Sequence, residues 1–95
     1  MSSRFITIST DILQNKDLTP NEKFVLAEIE QLCSLEHECY PSNGYFADLI
    51  GISKSNASRT IANLQEKGYI EILKAQETLK TSKTRIIRYI EKENI

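Results

Sequence analysis

Residues 41–68 read PSNGYFADLIGISKSNASRTIANLQEKG, and the fold is decided there. Phe46, Ala47, Leu49 and Ile50 fall at helical spacing and give one apolar stripe. Gly51 follows, and glycine accepts at little cost the left-handed backbone that ends a helix. Ser53 then stands where a new helix needs a cap, because its hydroxyl can accept from an orphan backbone N–H. Ala57, Ile61 and Leu64 recur at i, i+4 and i+7, so one side of this second helix is apolar. Gly68 closes it. Small Ala47 sits where two helices crossing steeply need a close approach. The stretch predicts two short helices joined by a tight turn.

The other side of the second helix carries the functional signal. At about 100° per residue, the side opposite Ala57, Ile61 and Leu64 is expected to present Ser55, Arg59, Ala62, Asn63 and Glu66. Lys54, Asn56 and Ser58 flank its first turn. An ordinary solvated helix carries long Glu/Lys pairs; this one carries short donors and acceptors. Arginine can bond a guanine edge with two hydrogen bonds, asparagine can do the same with adenine, and serine suits either. The helix start also offers free N–H groups and partial positive charge to a phosphate.

Ile52-Ser53-Lys54-Ser55, Ala57-Ser58-Arg59, Ile61, Leu64 and Lys67-Gly68-Tyr69-Ile70 together resemble the recognition helix of bacterial winged helix-turn-helix proteins, MarR-type regulators among them. Leu18-Thr19-Pro20-Asn21-Glu22-Lys23 and Pro41-Ser42-Asn43 are similar to the pattern that opens phage replisome organisers and plasmid replication initiators, including DnaD-like proteins. The resemblance spans residues 5–89. It implies double-stranded DNA as partner and an N-terminal segment used for dimer contacts. It also implies that the helix beginning after Ser42 abuts a phosphate, which makes Ser42, Asn43 and Tyr45 backbone contacts of second rank.

Charge is distributed in the same sense. The net charge of the 95 residues is −1. Residues 1–50 hold three basic side chains (Arg4, Lys16, Lys23) against eight acidic ones. Residues 51–90 hold eight basic side chains against three acidic ones (Glu66, Glu71, Glu77). A dipolar domain with one basic end is expected. Its length allows a single modest core. No apolar run is long enough to span a membrane, and residues 1–10 lack the apolar segment of a signal peptide, so a cytoplasmic protein is expected.

Cys33, His37 and Cys39 offer three soft ligands where a zinc site takes four, so no metal is expected. Cys33, at helical spacing with Ile29, reads as a small core residue. The single histidine, without a nucleophile motif or phosphate-binding loop, argues against an enzyme, and no cofactor or small-molecule substrate is expected. The carboxylates of the N-terminal half read as helix-surface groups.

Along the rest of the chain, Phe5, Ile6 and Ile8 suggest a short extended piece. Ser9 or Thr10 can cap a brief helix containing Ile12 and Leu13. Thr19-Pro20-Asn21-Glu22 combines a threonine cap, proline at the first helical position and a glutamate three residues on, a capping box. Residues 36–41, polar and ending in proline, read as a loop. Residues 69–76 and 84–90 read as two strands with a polar connection.

The expected architecture is mainly α with a small β-hairpin: a winged helix-turn-helix of three core helices and a two-stranded wing. Residues 1–17 form an N-terminal arm with a short helix, 18–90 the domain and 91–95 a tail. The helix over 53–67 is expected in the major groove, starting at Ser53, with Arg59, Asn56, Ser55 and Asn63 nearest the bases. Lys54, Ser58 and the wing residues Lys80, Lys83 and Arg85, within a wing over 74–88, are expected to hold phosphate or the adjacent minor groove. Because one such module buries little DNA surface, a homodimer is expected. The process is transcriptional regulation or initiation of phage or plasmid replication. The alternative is a winged-helix module for protein interaction or dimerisation that does not touch DNA.

Overall fold

The computed structural model describes residues 7–36, 38–39, 41–74 and 85–90. Its elements run α1 (Thr10–Leu13), α2 (Pro20–Glu36), β1 (Glu38–Cys39), α3 (Asn43–Ile50), α4 (Lys54–Glu66), β2 (Ile70–Lys74) and β3 (Arg85–Tyr89). This is a winged helix-turn-helix: α3 and α4 form the helix-turn-helix pair, and β2 and β3 form the hairpin.

The helix starts follow from local chemistry. Ser9 accepts from the Ile12 N–H and caps α1. At α2 the capping box is complete: the Glu22 N–H donates to Thr19 Oγ1 at 3.2 Å, and the Thr19 N–H donates to Glu22 Oε1 at 3.1 Å. Ser42 and Ser53 cap α3 and α4 by accepting from Tyr45 N and Asn56 N, each at 3.1 Å. The helix ends are equally local. Gly51 has φ 72°, and the Ile52 N–H behind it reaches back to the Ala47 carbonyl. Gly68, at φ 85°, lets Tyr69 N bond Leu64 O and its own N–H bond Gln65 O, the paired bonds of a Schellman motif.

The central element is α2. Val25, Leu26, Ala27, Glu28 and Ile29 are all buried in succession, because α1, α3, α4, β1 and β3 pack around it. Ala57, Ile61 and Leu64 of α4 meet this core together with Phe46 and Ala47 of α3, as the apolar spacing required. Ile12 of the arm and Leu18 just after it join the same core, and Cys33 is buried there too, its thiol facing the Ile87 carbonyl.

Three expectations change. Residues 36–41 are not simply a loop: α2 runs to Glu36, and Glu38 and Cys39 pair antiparallel with Arg88 and Ile87 of β3. The hairpin is therefore part of a three-stranded sheet, order β1-β3-β2. Secondly, Glu22 and Glu28 are not surface carboxylates; both are buried. Finally, Tyr45 is half-buried, and its hydroxyl donates to Glu28 Oε2, tying α3 to α2. That bond commits its hydroxyl proton within the fold.

Within the sheet the period of two is regular. Ile70 and Ile87 point into the core, while Glu71 and Arg88 face each other outside, 3.4 Å apart. An exposed pair of this kind contributes about 0–1 kcal/mol. Its consequence is electrostatic, since one of the positive charges of residues 51–90 is already matched.

Candidate nucleic-acid interface

The first two turns of α4 rise from the core with their polar side outward. Lys54, Ser55, Asn56, Ser58 and Arg59 are all exposed, while Ala57 between them is fully buried. Among the described residues, the side chains of Ser55, Asn56, Ser58 and Arg59 make no hydrogen bond or ion pair. Thr60 supplies the local contrast. It is buried, and its hydroxyl is spent on the Asn56 carbonyl at 2.8 Å. A row of donors and acceptors without protein partners is a surface whose hydrogen bonds are available to something else.

Lys54 links the two helix starts. A methyl group added at Gly44 would come within 3.3 Å of Lys54 Cε and 3.7 Å of Ser42 Oγ. The lysine stem therefore lies across the first turn of α3, and Gly44 leaves room for it. Here the partial positive charge at the start of α3 and the lysine ammonium stand together. Ser42 is exposed beside them. Asn43 is half-buried with its side-chain oxygen turned inward.

Asn63 does not belong to the exposed row. Seven residues after Asn56, Asn63 falls within about 20° of it around the helix, but two turns further along, where Glu22 of α2 faces it. It is half-buried there, and its Nδ2 donates to Glu22 Oε2 at 3.3 Å. Lys67, four residues on, donates to Glu22 Oε1 at 2.7 Å and also to the Asp17 carbonyl. Burial pushes the Glu22 carboxyl up, but the Lys67 hydrogen bond, the Thr19 N–H, the Lys67 charge and the Asn63 amide outweigh it. The result lies below the ordinary glutamate value. The Glu22 hydrogen bond in turn holds Lys67 above the ordinary lysine value. Asn63, expected at a base edge, thus has its amide engaged by its own protein.

Of the wing, Lys80 and Lys83 lie outside the described residues, and Arg85 is placed by its backbone alone as the first residue of β3, opposite Lys74. An open hollow of about 400 Å3 lies among α1, α2 and the base of the hairpin, lined in part by Asp11, Glu30, Tyr69 and Tyr89. It includes none of the α3 or α4 residues above, and its carboxylates repel phosphate.

Sequence reasoning missed the Lys54–Gly44 contact and the Glu22 cluster. Both join residues far apart in the chain. The only early sign was Gly44 inside the first turn of a helix, where glycine is otherwise unfavourable.

Comparison with known proteins agrees with this geometry. Residues 16–70 match a family described as a helix-turn-helix domain. No curated protein matches the sequence. Two solved structures share the fold at 14% identity, each covering 97% of this chain and 78% of its own. One, with TM-score 0.63, is described as the N-terminal domain of a DNA binding protein. The other, with TM-score 0.61, is described as the structure of a Rep–DNA complex.

Proposed function

The chain belongs to the helix-turn-helix domain family, and on that basis we propose that it is a sequence-selective double-stranded DNA-binding protein. The observation that carries the reading is the exposed row Ser55, Asn56, Ser58 and Arg59, whose side chains have no protein partner among the described residues. Helix α4 enters the major groove by its N-terminal half, with Arg59, Asn56 and Ser55 at the base edges. Ser53 and Ser58 meet the backbone at its rim. Lys54 and Ser42, at the start of α3 with Asn43, hold a phosphate. Lys80, Lys83 and Arg85 extend the contact to the backbone or minor groove beside the wing. A single module of this size buries roughly 600–1,000 Å2 of surface on DNA, so two copies on a two-fold site give useful affinity. The process served is transcriptional control or replication initiation in the cytoplasm. No helix among the described residues is long and apolar enough to cross a membrane.

The test is selection of bound duplexes from a random pool, followed by salt titration on a selected and a scrambled duplex. Binding should weaken with salt at a log–log slope of about −0.9 per phosphate neutralised. Symmetric winning sites would report the dimer and its spacing. A chain that enriches no sequence and shows no salt dependence is a protein-interaction module instead.

A further inference from the structure

We infer that Glu22, a residue of α2 that cannot itself reach DNA, is a positioning residue that sets the roll of α4 and so the sequence selectivity of the protein. The inference rests on the DNA-binding reading above. Glu22 is 2% exposed and receives three donors from three places. The Thr19 N–H reaches Oε1 at 3.1 Å, Lys67 Nζ reaches the same oxygen at 2.7 Å, and Asn63 Nδ2 reaches Oε2 at 3.3 Å. Its own backbone is pinned in return, since its N–H donates to Thr19 Oγ1. Lys67 also grips the Asp17 carbonyl, and Tyr69 just beyond accepts from Asn15 Nδ2 at 2.7 Å. The far end of α4 is thus fastened to the first turn of α2 and to the segment before it.

The apolar contacts of α4 cannot do this alone. Ala57, Ile61 and Leu64 form a non-directional stripe along which a helix can rock. Asn63 and Lys67 lie four residues apart, one above the other on a single edge. Two directed bonds from one edge to a buried carboxylate fix rotation about the helix axis. A roll of about 20° carries a group roughly 6 Å from that axis through about 2 Å. This exceeds the ~0.5 Å range of N–H···O hydrogen-bond lengths, so contacts at the base edges break. Attraction to phosphate falls off over about 10 Å and scarcely registers the same shift. Loosening the carboxylate should therefore remove discrimination between sequences while leaving general affinity for duplex in place.

The experiment measures the affinity of Glu22→Gln for a selected and a scrambled duplex across a salt series, with cooperative melting as the check on folding. Affinity for the selected duplex should fall about tenfold, of the order of one lost base contact. Affinity for the scrambled duplex should not fall, and the salt slope should match wild type. Asn63→Ala should lower the same ratio in the wild-type background and add nothing in Glu22→Gln, because both act through one contact. If Glu22→Gln does not melt cooperatively above the assay temperature, Asn63→Ala against Lys67→Met gives the same cycle. Full additivity of either pair means that Asn63 meets DNA on its own account, and overturns the inference. An unchanged ratio in Glu22→Gln, or an equal loss on both duplexes, also overturns it. A wild-type chain without any selectivity defeats the DNA-binding reading itself, and this inference with it.

Discussion

Asn56 and Asn63 carry the same side chain on the same helix, two turns apart. Asn56 is exposed, and its amide has no partner among the described residues. Asn63 is half-buried, and its amide is held by Glu22. The cause is what lies opposite. The buried carboxylate of Glu22, in the first turn of α2, faces the C-terminal half of α4 at Asn63 and Lys67, and no described side chain bonds that of Asn56. Residue type therefore gives the capacity to bond, and the neighbouring element decides whether that capacity is spent inside the fold or kept for a partner. The two halves divide the work: one presents, the other anchors.

The strongest way to break this division is to remove the floor beneath both halves. Leu64→Ala, at a fully buried position, should destabilise the fold by ~2–5 kcal/mol in denaturant melts. Selective and general DNA binding should then be lost together. Arg59→Ala touches the presenting half alone. It should weaken binding to the selected duplex by ~1–3 kcal/mol and relax preference at one base position, with stability within about 0.5 kcal/mol of wild type. A binding curve equal to wild type on both duplexes would remove Arg59 from the interface.

Gly51→Ala probes the joint between α3 and α4. No atom would crowd the added Cβ, so the change tests φ 72° by itself and should cost roughly 1–2 kcal/mol of stability. A neutral melt would mean the turn has another conformation open to it. Lys54→Ala should weaken both duplexes alike and reduce the salt slope by about 0.9, the share of one phosphate. An unchanged slope would place Lys54 away from the backbone.

The smallest effect concerns the anchoring half and acid. Glu22 has a folded-state pKa below its ordinary value, so its stabilising contribution is present above that value, near 4.5. It is lost as pH falls through the depressed folded-state value. Wild type should therefore lose melting temperature more steeply than Glu22→Gln below about pH 4.5, with parallel curves nearer neutrality. Curves parallel throughout would mean that Lys67 and Asn63 do not sense the charge.

Much of the architecture was legible because it is written within about five residues of itself. Thr19 with Glu22, Ser42, Gly51, Ser53 and Gly68 mark helix ends through bonds of short range, and all five marks hold. The stripe Ala57, Ile61 and Leu64 showed which side of α4 would be buried. What escaped is long-range. Glu38 and Cys39 have no strand tendency of their own; they become β1 because β3 has a free edge at the right distance from the end of α2. Glu28 looked like a surface carboxylate until α3 brought the Tyr45 hydroxyl over it. Asn63 shares its side of the helix with exposed Asn56, and what engages it is Glu22, forty-one positions away.

The chain by itself thus determined where each helix of the helix-turn-helix starts and stops and which side chains go inside, since caps, glycine φ angles and apolar spacing act over a few residues. Only the tertiary structure decided that Lys54 lies across Gly44, that β1 joins the sheet, and that Glu22 collects Lys67 and Asn63. Those contacts join groups ten to fifty positions apart. Their formation depends on the angles at which whole elements pack, and no local pattern encodes such an angle.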